Sequence, residues 1–197
     1  SGLWSVLRLS EDEVLKGSLL ITLYENLRWK TISPQGFRDE MLAYLPNESN
    51  SLLFSMALSY LGDCQRIFPS DSRPLEEALW RIVTTNPVSQ HRLQAFRLYR
   101  SIADSEEAVQ RLYTLWQERK APKDCALSES DYIGLSYILA IHLPEKADKI
   151  IATQLSRIQN PDRKKEYQFI SPSVSPRKAE RDSVFASLLI AGNRRVE

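Results

Sequence analysis

Residues 128–144 read SESDYIGLSYILAIHLP. Ser128 followed three positions later by Asp131 is a capping box, in which two side chains satisfy backbone N–H groups at a helix start. From Tyr132 to Leu143 the segment is apolar nearly all round, which predicts a central helix. Pro144 ends it, because proline has no N–H for the next turn and its ring clashes with the preceding one.

The same punctuation continues on both sides. Downstream, Ala147, Ile151, Leu155 and Ile158 form an apolar stripe. Asn160–Pro161–Asp162 opens a short helix that ends before Pro172. Ser175–Pro176 opens a last one carrying Phe185, Leu188 and Leu189, which stops at Gly192. Upstream, Lys120–Ala121–Pro122–Lys123–Asp124 is a loop. Ser105 with Glu106 and Glu107 starts a helix with Ala108, Leu112, Leu115 and Trp116, and Ser89 starts one with Ala95, Leu98, Tyr99 and Ile102. Ser72 precedes a helix with Leu75, Leu79, Trp80 and Val83, and another runs from about Ser49 to Phe68. Ser33–Pro34 opens a shorter one. Ser10, with Glu13 at the capping-box position, opens a helix striped with Leu15, Leu19, Leu23 and Leu27.

Period-two alternation occurs only in short pieces such as Trp4 to Leu9, so no strand is expected. Short links make neighbouring helices antiparallel, and helix pairs recur at very roughly 40 residues. The expected fold is therefore all-α: stacked antiparallel helix pairs forming a curved superhelical array of the HEAT or armadillo kind, one domain over 1–197.

Composition narrows the function. Lys and Arg total 26 against 25 for Asp and Glu, a formal charge of +1. Such a balance argues against a nucleic-acid binder, which needs a basic excess on one face. No apolar run approaches the ~20 residues of a membrane span. Cys64 and Cys125 lack a second Cys or a His at metal-ligand spacing. They read as two unpaired thiols, and a disulfide requires the fold to bring them together.

The chain has two histidines, His91 and His142, neither with an acid and a second His at the spacing of a helical zinc site. Structural or surface roles are expected for both. There is no Gly-x-Ser-x-Gly elbow and no Gly-rich phosphate loop. Glu76–Glu77 and Glu106–Glu107 fall in first helical turns, where the helix dipole accounts for them. Trp80 and Trp116 lie on apolar faces and are expected in the core. Phe96 and Tyr99, flanked by Arg92, Arg97 and Arg100, read as a buried aromatic stripe with basic edges rather than a stacking platform for bases. From these residues alone the chain carries no active site and no cofactor.

The last third resembles a known family. Asn160–Pro161–Asp162–Arg163–Lys164, then Phe169–Ile170–Ser171–Pro172–Ser173–Val174–Ser175, then Arg181–Asp182 and Phe185, are similar to the C-terminal region of bacterial zinc aminopeptidases of the aminopeptidase N (gluzincin) type. Asn193–Arg194–Arg195–Val196–Glu197 resembles that family's next stretch, which normally runs on into further helices. Weaker echoes are Leu23–Tyr24–Glu25–Asn26–Leu27, Leu93–Gln94–Ala95–Phe96–Arg97 with Arg100, and Leu127–Ser128–Glu129–Ser130–Asp131–Tyr132.

The resemblance implies a fragment of the helical C-terminal domain, truncated at its end, with a zinc-holding catalytic domain upstream. That domain would carry the H-E-x-x-H motif and the substrate motif, both absent here. In that family the helical domain covers the catalytic cleft and shapes the entry of a peptide substrate. Arg163, Arg181 and Arg194 are the candidate cavity-wall contacts for a peptide carboxylate, which a guanidinium fork suits. The plainer reading pairs Arg181 with neighbouring helices and leaves Arg163 in solvent. The competing expectation is a free-standing helical-repeat scaffold that binds a protein or peptide.

Overall fold

The computed structural model describes residues 2–190 and 192. Among them the chain is all-α, with eleven α-helices and no strand. It divides into two compact units, Ser1–Ser105 with Pro122–Ala126, and Glu106–Ala121 with Leu127–Glu197.

The first unit contains α1 (Gly2–Leu9), α2 (Glu13–Arg28), α3 (Pro34–Tyr44), α4 (Ser51–Ile67), α5 (Arg73–Thr85) and α6 (Ser89–Ile102). Helix α1 occupies the stretch whose alternation looked strand-like. It spans barely two turns, too few to separate period two from period 3.6, and it buries Trp4 and Leu7 at helical spacing. Helix α2 starts later than a Ser10 cap requires. The Ser10 N–H is still bonded to the Val6 carbonyl at 2.9 Å, so Asp12 caps instead, accepting from the Val14 and Leu15 N–H groups. Likewise Ser89 lies inside α6 and Val88 is its N-cap residue. Ser33, Asn50, Ser128 and Asn160 do cap their helices through side-chain oxygens, and the Ser128–Asp131 box is complete.

Packing gives this unit its order. Trp4 meets Phe37 edge-on at 5.7 Å and Arg8 pairs with Glu40, so α1 and α3 run parallel. Gly17 lies against Leu53 and Tyr24 stacks on Tyr60 at 4.2 Å, so α2 and α4 run parallel too. His91 stacks on Phe54, and Gly62 lies against Leu98, which sets α6 parallel to α4. Between these layers α5 and α6 are antiparallel, with Glu76 beside Ser105 and Trp80 beside Tyr99. Tertiary side-chain hydrogen bonds in this unit run between residues 26 to 40 positions apart. Helices α1 and α3, α2 and α4, and α4 and α6 thus each meet one hairpin apart, the contact pattern of stacked helix pairs.

The second unit contains α7 (Glu106–Glu118), α8 (Glu129–His142), α9 (Ala147–Arg157), α10 (Pro161–Ile170), a 3₁₀ turn (Ser171–Val174) and α11 (Lys178–Ser187). Helix α8 packs against α7, α9 and the 3₁₀ turn, so it is central to its unit. Its buried face is Tyr132, Leu135, Ser136, Leu139 and Ala140, while Ile141 faces outward. On α9 the buried line is Ala147, Ile150, Gln154 and Ile158, with Ile151 and Leu155 only half-buried. Helix α11 buries none of its residues, and Phe185, Leu188 and Leu189, which the sequence places at the end of this helix, are exposed.

Candidate functional site

Of the three arginines expected at a substrate wall, two lie among the described residues. Arg163 stands in the first turn of α10, and its guanidinium is 3.3 Å from Glu129 at the start of α8. The same Glu129 accepts the Gln159 N–H at 2.8 Å, so Arg163 helps seat α10 on α8. Arg181 on α11 donates to the Ser175 carbonyl at 2.6 Å, closing the turn that leads into its own helix. The two therefore serve separate local contacts. Each engages one partner and keeps other N–H groups of a five-donor fork. Arg194 lies outside the described residues.

The polar side chains that are most deeply buried are others. Glu48, 4 % exposed, follows α3 and precedes the Asn50 cap. It accepts from the Tyr44 hydroxyl, from Lys16 Nζ at 3.1 Å and from the Asn50 N–H at 2.7 Å. Burial pushes its carboxyl up, but these donors outweigh burial and hold it below the usual carboxylate range. Burial and the bond to Glu48 push the Tyr44 hydroxyl well up. One carboxylate so joins α2, α3 and the start of α4.

Glu76, 3 % exposed, accepts from the Asp104 N–H at 2.8 Å, the Ser105 N–H at 3.1 Å and the Ser105 hydroxyl. Its role exceeds dipole compensation: it holds the far end of α6 onto the start of α5. In the second unit Trp116 Nε1 donates to Gln154 at 2.8 Å, Arg157 lies over the Trp116 ring, and Ser136 bonds Tyr167 at 2.9 Å.

His91 is fully buried. Its ring lies parallel to Phe54 with centroids 3.9 Å apart, Nε2 is 3.1 Å from Ser51 Oγ, and Nδ1 has no protein partner. A serine beside a neutral imidazole is the nucleophile–base pairing of acyl transfer. Here Nδ1 has no partner to orient the ring, and the Leu52 and Leu53 N–H groups are bonded to Asn50 Oδ1.

Cys64 and Cys125 are buried and are not joined to each other in a disulfide. Burial pushes the Cys64 thiol up despite Arg38 beside it, the opposite of an activated nucleophile. Among the described residues no three His, Cys, Asp or Glu side chains gather to hold a metal, and no helix is long and apolar enough to cross a membrane.

Two shallow grooves mark the first unit. One of about 550 Å³ lies between the first turn of α6 and the 122–126 loop, lined by Ser89, Leu93, Pro122, Asp124 and Cys125. Arg92 braces that loop through the Lys123 carbonyl at 3.0 Å and Asp124 at 3.2 Å. The other, about 440 Å³, runs between α4 and α6 past Gly62, Asp63, Arg66, Leu98 and Ser101. Nothing local in the sequence distinguishes Glu48 and Gln154 from solvated polar residues, and Glu76 reads there only as a first-turn acid facing the helix dipole. Comparison with family models, curated proteins and solved structures finds no match.

Proposed function

We propose that this chain is part of the helical C-terminal domain of a zinc aminopeptidase of the aminopeptidase N type. In this reading the parent enzyme removes N-terminal residues from peptides with zinc held upstream, and the helix pairs described here form a curved wall over that cleft. The observation that carries the reading is the ordered likeness from Asn160 to Phe185, which falls on the α10, 3₁₀ turn and α11 segment. The stacked helix pairs are compatible with it. Arg163, Arg181 and Arg194 are proposed to meet the far carboxylate of a peptide.

The reading is tested on the complete coding region. An H-E-x-x-H motif upstream of Gly2 is expected, and an open reading frame without one refutes the assignment. In the parent enzyme, Arg163→Ala and Arg181→Ala should raise KM for short peptides with a free C-terminus. They should leave KM for aminoacyl anilides, which lack that carboxylate, unchanged.

The spacing of tertiary contacts favours a second reading, a helical-repeat scaffold that binds a peptide or protein in a groove of the first unit. A stoichiometric partner that is not a peptidase domain, lost on filling the α4–α6 groove with Ser101→Trp, supports that reading over the first.

A further inference from the structure

We infer that His91 is an acid-sensitive latch between α4 and α6: it joins the first turns of the two helices as a neutral ring, and taking up a proton separates them. The latch is geometric. The imidazole is fully buried, lies flat on Phe54 of α4, and meets Ser51, the first residue of that helix, through Nε2. Nδ1 points at no acceptor.

The neutral ring fits this arrangement with its proton on Nε2, donated to Ser51 Oγ, and a bare lone pair at Nδ1. The imidazolium adds an N–H at Nδ1 that no acceptor answers, and it buries a full charge. Ser51 accepts from Nε2 in either state, but nothing does so at Nδ1.

The charged groups around the site do not rescue the cation. On the α4 side lies Glu48, whose carboxylate raises the proton affinity of His91 less than burial lowers it. Glu48 is already engaged by Lys16 of α2 and Tyr44 of α3. On α6 the neighbouring Arg92 is a like charge, occupied by the Asn86 carbonyl and Asp124. Protonation therefore favours states in which the ring reaches water, and the opening that exposes it parts the stack on Phe54 and the bond to Ser51.

The sign follows. The folded ring binds its proton less readily than the free side chain. The latch is at full strength above about pH 6.5, the ordinary histidine value, and weakens as the pH falls below it. Each pH unit in that window favours the opened form by at most about tenfold.

Amide hydrogen exchange on the whole chain between pH 7.5 and 5, corrected for intrinsic rates, tests this. Segments covering 50–58 and 89–96 should lose protection by several-fold as the pH falls, while 132–140 in the second unit holds its own. His91→Phe, which keeps a ring on Phe54 and cannot titrate, should flatten the profile. A flat wild-type profile, or an unchanged slope in His91→Phe, overturns the latch. If His91→Phe does not fold, the His91 imidazole titration decides, assigned by its persistence in His142→Gln. A midpoint below 6.5 supports the latch, and one at or above 6.5 overturns it.

Discussion

Glu76 shows how much one buried carboxylate can carry. It is 3 % exposed and answers two backbone N–H groups and a hydroxyl from the segment that follows α6. Removing it strands those donors, so Glu76→Ala should cost about 2–3 kcal/mol in a urea unfolding curve at pH 7. Burial pushes this carboxyl up and its hydrogen bonds pull it further down, so its folded value lies below the usual range. Its stabilisation is therefore complete above about pH 4.3, the unfolded value, and is lost as the pH falls through the lower folded value. Glu76→Gln should show a smaller drop in urea midpoint than wild type between pH 6 and pH 3. Trp116 and Gln154 form a second test of the same kind. Trp116→Phe leaves the amide of Gln154, 1 % exposed, without its donor and should cost about 1–3 kcal/mol, part of which Gln154→Leu should restore in the double variant. Neither partnership was legible in the sequence. Each joins residues a hairpin apart, and local spacing reports only what happens within one or two helical turns.

At the scale of the element, two glycines inside helices make opposite predictions. A Cβ at Gly17 of α2 would meet Leu53 at 3.7 Å and Met56 at 3.9 Å, ordinary contact distances. Gly17→Ala should stabilise the chain by about 0.5–1 kcal/mol through helix propensity. At Gly62 of α4 the added atom would lie 2.8 Å from Leu98 of α6, so the leucine must move. Gly62→Ala should gain less than Gly17→Ala or lose stability, and Gly62→Val, with a branched Cβ, should be clearly destabilising. Thermal melts of the three variants check the order. Three helix starts with a side-chain cap, at Ser33, Ser128 and Asn160, were readable, because a cap and the N–H groups it satisfies lie within three residues. Ser10 and Ser89 show the limit. Ser10 is still held by α1, and at α6 the Asn86 side chain takes the Val88 N–H at 2.9 Å, so the helix begins one position earlier than its serine suggests.

For the whole molecule, stacking by neighbours implies that stability is distributed along each unit rather than concentrated at one centre. The ends of such a stack contribute least. Helix α11 buries none of its residues, and Phe185, Leu189 and Ile190 are 70 %, 67 % and 61 % exposed. Ending the chain after Arg177 keeps the paired bonds from that residue to Asp148, both at 2.8 Å. The truncation should lower stability by less than about 1 kcal/mol, and it should reduce binding of an apolar dye such as ANS. A loss of several kcal/mol in urea would show that the last helix is packed in solution.

What the sequence determined by itself was the class and much of the punctuation: helices throughout, five of their stops at prolines, and three side-chain caps, Ser33, Ser128 and Asn160. Those features rest on interactions within a turn or two. The tertiary structure alone decided which face of α9 is buried and that α11 stands outside its unit's core. It also decided that Glu48, Glu76, Gln154 and His91 are interior groups, each matched to a partner in another helix or in a linking segment. The reason is register. A helix sequence states that a face exists, but which neighbour covers it depends on how successive hairpins slide against one another, and that is settled only when all of them pack at once.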